Sequence, residues 1–120
     1  MAKPERDKLH TVNEDDKNRR IRDTADVVAV IRDQEGKKGK PLVNDPFAHL
    51  FVSSQGEALL EAALKKWPFF SEYLLVRAKF FDDSLRYFCE KKDIKQIVIL
   101  GAGNDMRAIR LSFLKSKKVF

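Results

Sequence analysis

The chain has a single cysteine, Cys89, among 120 residues. One thiol excludes an internal disulfide framework and fits a reducing compartment. It has two histidines, His10 and His49, and neither supports a metal site, the first lying in a polar arm and the second between apolar residues. No apolar run approaches the roughly 18 residues needed to cross a bilayer. The first residues, Met1 to Asp7, lack the apolar stretch of a secretory signal. Glu5, Asp7, Glu14, Asp15 and Asp16 are acids where a mitochondrial presequence avoids them. The expected location is the cytoplasm, with no membrane and no metal.

Charge is abundant but unfocused. The formal net charge is +6, and the cations are interleaved with acids, as in Lys91-Lys92-Asp93-Ile94-Lys95. Two small clusters, Lys37-Lys38-Gly39-Lys40 and Lys115-Ser116-Lys117-Lys118, lack the aromatic spacing of a single-strand binder. A nucleic-acid partner is therefore the weaker reading.

Residues 1 to about 18 are polar and aperiodic and read as a mobile arm. Ile21, Ala25, Val28 and Ile31 recur at three- and four-residue spacing, which predicts a helix over 18–33. Two glycines and Pro41 make 34–41 a loop. Asp45 and Pro46 suit the cap and first turn of a short helix through Val52. Residues 54–66 form another helix, interrupted by Trp67-Pro68. The longest helix is expected over 69–91, with Phe70, Tyr73, Leu74, Arg77, Phe81, Leu85 and Phe88 facing the core. The continuous run Gln96-Ile97-Val98-Ile99-Leu100 predicts a strand buried on both faces of a parallel sheet. A turn at Gly101-Ala102-Gly103, a helix over 105–113 and a second strand at Lys118-Val119-Phe120 follow.

A buried strand that turns through glycine into a helix is how nucleotide-binding α/β units open. Here the pattern is G-x-G without the third glycine of the dinucleotide fingerprint, which favours a ligand with no pyrophosphate. Arg77 on an apolar stripe needs a partner, either an internal carboxylate or a ligand carboxylate held fork-wise. Arg32 sits at the edge of the first helix's apolar face, where it either snorkels or repeats that theme. Cys89, Trp67 and the phenylalanines read as core, and Asp82-Asp83 as a solvated helix face.

Three blocks then resemble the leucine carboxyl methyltransferase family and its bacterial relatives. Thr24-Ala25 through Arg32, with Asn44-Asp45-Pro46-Phe47-Ala48-His49-Leu50-Phe51, is similar to the family's T-A…(K/R)…DP-(F/Y)-A…F block. Val76-Arg77-Ala78-Lys79-Phe80-Phe81-Asp82-Asp83 is similar to its V-R-T-x-x-x-D-D block. Residues Gln96 to Leu111 are similar to its Q-V-V-x-L-G-A-G-L-D-T-R-A-x-R-L block. Asn104 stands where the family has an apolar residue, and Met106 and Ala78 stand where it has threonine. Met106 is expected to loosen the helix start, because threonine caps better.

The resemblance implies an α/β fold: an N-terminal helical cap over 19–93, then the start of a Rossmann-like class I methyltransferase parallel sheet over 94–120. It implies S-adenosyl-L-methionine as cofactor and transfer of a methyl group to a carboxylate or hydroxyl of an unidentified small-molecule or protein substrate. By the same resemblance Arg77 holds the cofactor's methionine carboxylate, Arg32 approaches the cofactor, and Gly101, Ala102, Gly103 and Asp105 line its methionine part. The chain reads as a fragment, because one strand and part of a second are too few for an independent sheet. Alone it is expected to bind the donor weakly and not to turn over. The alternatives are a non-enzymatic helical module that self-associates through its open sheet edge, and a basic RNA-binding domain.

Overall fold

A computed structural model describes residues 14–120. Helix α1 (Glu14–Gly36) opens on three acids, Glu14, Asp15 and Asp16, which favour a helix N-terminus. The helix thus reaches five residues, 14–18, into the stretch expected to be a mobile arm; the remainder of that arm lies outside the described residues. The short helix expected after Asp45 is a single 3₁₀ turn, Ala48–Phe51. Asp45 Oδ1 accepts from the Phe47 amide at 3.1 Å, the turn-starting role its position suggested.

Helix α2 (Ser54–Lys66) begins where Ser53 caps it, the hydroxyl accepting from the Gly56 amide at 3.0 Å. Trp67 and Pro68 break it, and α3 (Phe70–Lys91) follows. The three helices close on one apolar cluster: Val27, Val30 and Ile31 from α1, Val43 from the loop, Leu60 from α2 and Leu75 from α3. Gly56 sits at the crossing of α1 and α2, where a Cβ would stand 3.0 Å from Asp26 Cβ and 3.2 Å from its carbonyl oxygen.

The side of each helix that packs differs from the periodicity. Ile21 is exposed, whereas Val27, Ala29, Val30, Ile31 and Arg32 are all buried, so α1 is enclosed on several sides. On α3 the buried residues are Leu75 and Asp82, with Phe70, Leu74 and Ala78 packed against the core. Trp67, Phe69, Phe80, Phe81 and Phe88 are exposed, not core. Arg77 is exposed too. Apolar residues surround α3, so spacing alone did not select the buried face. Cys89 is a free, half-buried thiol.

The sheet comprises β1 (Gln96–Ile97) and β2 (Lys118–Val119), paired in parallel with Gln96 opposite Lys118 and Ile97 opposite Val119. Its hydrogen bonds run further, with Lys118 donating to the Lys95 carbonyl at 3.0 Å and Ile99 to the Phe120 carbonyl at 2.8 Å. The strand is not buried on both faces. Ile97 and Ile99 are half-buried, while Val98 is exposed and Leu100 is 89% exposed. The helix expected over 105–113 is a single turn, α4 (Arg107–Arg110), followed by a 3₁₀ turn at Ser112–Leu114. Leu114 is fully buried and anchors this segment. The described chain is thus mostly helical with a small parallel sheet. Among the described residues, no helix is long and apolar enough to cross a membrane.

At the end of α1, Glu35 is buried and ties down the loop that follows. Its Oε1 accepts from the Leu42 amide at 2.6 Å, and Oε2 pairs with Lys38 Nζ at 2.5 Å. The Lys38 hydrogen bond first, then the Leu42 amide, hold the carboxyl below its ordinary value of 4.5. A depressed carboxyl contributes stability that is present above the unfolded-state value and lost as pH falls. Between about pH 5 and about pH 3, the native chain is expected to lose more unfolding free energy in urea titrations than Glu35→Gln does. Parallel pH profiles for the two proteins would contradict this role.

Candidate functional site

The glycine turn leaves β1 through two left-handed residues, Gly101 at φ 62° and Gly103 at φ 54°. L side chains rarely adopt that conformation, so both positions suit glycine. At Gly103 the backbone also passes close to α1, since a Cβ there would stand 3.4 Å from Ala25 Cβ. At Gly101 the space is open. Gly101, Ala102 and Gly103 are all solvent-facing. The turn closes with the Asp105 amide donating to the Ala102 carbonyl at 3.0 Å.

Asn104 is held from α1 at both its backbone and its side chain. Arg32 Nη2 donates to the Asn104 carbonyl at 2.8 Å. Asn104 Nδ2 reaches Asp26 Oδ1 at 3.4 Å, a long bond, while Asp26 Oδ2 accepts from Ser53 Oγ at 2.8 Å. Arg32 is itself buried and lies 3.1 Å from Asp45 Oδ2 through Nε, an ion pair off the line of a hydrogen bond. Burial pulls the Arg32 guanidinium below the ordinary arginine value, and Asp45 and Asp105 pull it back.

A second group of charges lies where α4 meets α3. Asp82 accepts from Arg107 Nε at 2.7 Å and pairs with Arg110 Nη2 at 2.7 Å. Arg107 also pairs with Asp105, whose Oδ1 accepts from the Arg107 amide at 2.8 Å. Asp105 therefore caps this turn, the role that Met106 was expected to leave unfilled. Asp82 is not on a solvated face: it is buried between two guanidiniums, while Asp83 pairs with Lys79 in solvent. Nothing in the sequence near Asp82 signalled this, because both partners lie more than two dozen residues away.

Arg77 takes no part in either group. Its guanidinium carbon lies 5.9 Å from the Phe81 ring centre, and that of Arg107 lies 6.0 Å from the same ring. Arg77 borders an open apolar groove with Trp67, Tyr73 and Phe80. Among the described residues no carboxylate forms an ion pair with it. No group of three or more His, Cys, Asp or Glu side chains among the described residues is arranged to hold a metal ion.

Residues 25–120 match the family model described as leucine carboxyl methyltransferase. The chain belongs to the leucine carboxyl methyltransferase family. It is 32% identical over 105 residues to a protein of Frankia alni named for S-adenosyl-L-methionine-dependent methyl transfer, covering 81% of this chain and 36% of that protein. It is 39% identical over 106 residues to one of the same description from Mycobacteroides abscessus, covering 81% and 33%. It is 37% identical over 97 residues to a chloroplastic O-methyltransferase of Oryza sativa subsp. japonica, covering 77% and 26%. The chain thus spans about a third of the length of the curated relatives it matches.

In this leucine carboxyl methyltransferase family chain, Arg32, Gly103 and Asp105 come together at one bend, with Gly101 and Ala102 on its open side. Arg77 stands apart, related to the bend through Phe81 and Arg107. Asp26 and Ser53, not singled out beforehand, support that bend, and Asp45, expected only as a helix cap, pairs with Arg32 behind it. Removing Asp82 would leave two mostly buried guanidiniums short of charge, and such a loss costs about 3 kcal/mol or more. Asp82→Ala is expected to lower stability by that amount in urea unfolding. Asp83→Ala, at an exposed i,i+4 pair, should cost less than about 0.5 kcal/mol. Equal effects would mean that Asp82 is not the anchor of this segment.

Proposed function

We propose that this chain carries the donor-binding loop of an S-adenosyl-L-methionine-dependent O-methyltransferase with a Rossmann-like domain, acting on a carboxylate or hydroxyl oxygen. Family membership supports methyl transfer, and the naming of the rice relative supports an oxygen acceptor. The observation that carries the reading is the glycine bend: a parallel strand enters an exposed turn at Gly101 whose absent Cβ leaves open space. An amino-acid-like group fits there, because backbone amides and carbonyls are accessible without side-chain obstruction.

Arg77, which stands apart from the bend, is the cation we assign to the donor's carboxylate, because no carboxylate among the described residues forms an ion pair with it. Arg32, Arg107 and Arg110 are already committed to Asp45, Asp82 and Asp105. A free guanidinium offers two parallel donors, which matches a carboxylate's geometry. S-adenosyl-L-methionine supplies a sulfonium methyl that is electrophilic without further activation. The chain's own task is to orient it and to keep water from the reacting centre.

Titration of the labelled chain with S-adenosyl-L-methionine, followed by amide and arginine-side-chain NMR, tests this. Shifts are expected at Gly101, Ala102, Gly103 and Asp105 and at the Arg77 guanidinium. Arg77→Ala should weaken binding by about tenfold or more, the loss of one charge-assisted contact. Absence of shifts at millimolar donor, or shifts confined to other segments, would remove the donor site from this chain.

A second reading, self-association, is favoured by exposed apolar residues on the sheet, Val98, Leu100 and Phe120. An uncovered strand edge bordered by apolar side chains recruits other chains. Sedimentation velocity should then reveal a concentration-dependent dimer that Leu100→Lys abolishes. A monomer at all concentrations would dismiss it.

A further inference from the structure

We propose that the solvent face of α3 is a self-association seam, on which a second copy of this chain packs its own α3 antiparallel. The helix carries apolar residues on two sides. One side holds Leu75 and faces the core. On the far side Phe69, just before the helix, and then Tyr73, Val76 and Phe80 follow one another at steps of four, three and four residues, and each is at least half exposed. At 3.6 residues per turn these four line up in one stripe, and the alternation of three and four is the spacing of a helix that meets another helix. Trp67 extends the stripe at its start, with its ring centre 5.1 Å from that of Tyr73. An aromatic side chain offers roughly 150–250 Å². At the exposures found here, the four rings and Val76 leave about 500–600 Å² of apolar surface, as much as the largest patch on a typical monomer. Two such stripes face to face would bury about 1,000–1,200 Å², the lower edge of a specific interface.

A second copy is the occupant this stripe fits. Its spacing reads the same in both directions, so two antiparallel helices bring Phe69 against Phe80 and the large Tyr73 against the small Val76, each contact made twice about the two-fold axis. The flanking charges agree. Glu72 borders the stripe and has no ion pair among the described residues. Lys79 stands two turns further along the same flank, exposed enough to leave its pairing with Asp83 in the same helix. Across an antiparallel two-fold, like flanks face each other, so Glu72 of each copy comes level with Lys79 of the other. A parallel pairing would instead set Asp83, the next position of the stripe after Phe80, against its own copy, and like charges so placed oppose association. Arg77 lies on the opposite flank of the stripe and stays open to the donor. The sheet edge with Val98 and Leu100 is a separate surface and takes no part in this contact.

Sedimentation velocity on the full chain across a range of concentrations tests this. A monomer–dimer equilibrium is expected with a dissociation constant on the order of 10–100 μM, as for a contact of that size. Val76→Glu should abolish the dimer without moving the midpoint of urea unfolding of the monomer, because Val76 is exposed there. Leu100→Lys should leave the dimer intact. Glu72→Lys and Lys79→Glu should each weaken it about fivefold, since each replaces two attractive contacts by repulsive ones. Mixing those two variants should restore association, because only the mixed pair sets opposite charges at both contacts. A monomer up to about 500 μM, well beyond the range of even a weak interface, would overturn the seam. A dimer that Val76→Glu leaves intact would overturn it too, as would one that Leu100→Lys abolishes, which would put the contact at the sheet edge. Mixed chains that associate no better than either variant alone would overturn the antiparallel pairing. Should Val76→Glu fail to fold, the mixing experiment decides by itself, since Glu72 and Lys79 are surface charges whose exchange leaves the core untouched.

Discussion

The burial of three guanidiniums constrains the placement of everything after α3. Arg32, Arg107 and Arg110 are each largely withdrawn from water, and Asp45, Asp82 and Asp105 are withdrawn with them. Charges withdrawn in this way must meet opposite charges at close range, or the enclosed arrangement is lost. Apolar residues of similar size would pack as well or better, so these pairs do not account for stability as such. What they supply is selectivity among arrangements, since the docking of 105–111 on α3 brings Arg107 and Arg110 to Asp82, while Arg32 meets Asp45 from the loop after α1. The sheet is too small to impose that docking: its two short strands make a marginal unit on their own.

This explains which parts of the fold were legible in the sequence. Local signals marked the breaks around α2 and the entry to the sheet, but not the start of α1 or the extent of the helix after the glycine turn. Ser53 stops one segment and caps the next, Trp67-Pro68 separates α2 from α3, and the β-branched run before Gly101 enters the sheet. Orientation about each helix axis was harder to read. On α3, Val76, Phe80 and Phe81 are apolar like Leu75, so a stripe can be drawn along several sides. The side that packs carries Leu75, in the core cluster, and Asp82, whose partners arrive from α4. Local spacing carries no trace of a partner so distant in sequence. The depth of the strand was overestimated for a related reason, because β-branched residues signal a strand but not what covers it. Val98 and Leu100 are uncovered among the described residues.

The two arginines singled out from the sequence looked alike there, each a cation near an apolar stripe. Their environments separate them. Arg32 is enclosed with a fixed counter-charge, and Arg77 is open beside aromatic rings. On the donor-loop proposal the exposed Arg77 is open to a ligand, while Arg32 holds the Asn104 carbonyl of the bend. Family resemblance at both positions is compatible with either role, since it records residue type and spacing, whereas role depends on what stands opposite.

The three blocks that carry the resemblance also meet one another in space. Ala25 of the first lies against Gly103 of the third, Arg32 of the first, paired with Asp45, reaches the Asn104 carbonyl, and Asp82 of the second receives Arg107 and Arg110. Substitutions within them are then absorbed by neighbours in the same lattice. Met106 contributes no capping hydroxyl, and the Asp105 carboxylate takes the Arg107 amide in its place. That assignment has a consequence for the pocket. With its carboxylate engaged by both the amide and the guanidinium of Arg107, Asp105 has little capacity left for a ligand's ammonium group. On the donor-loop proposal, recognition of an amino-acid-like group would rest on the open backbone at Gly101 and on Arg77, because the Ala102 carbonyl already accepts from the Asp105 amide.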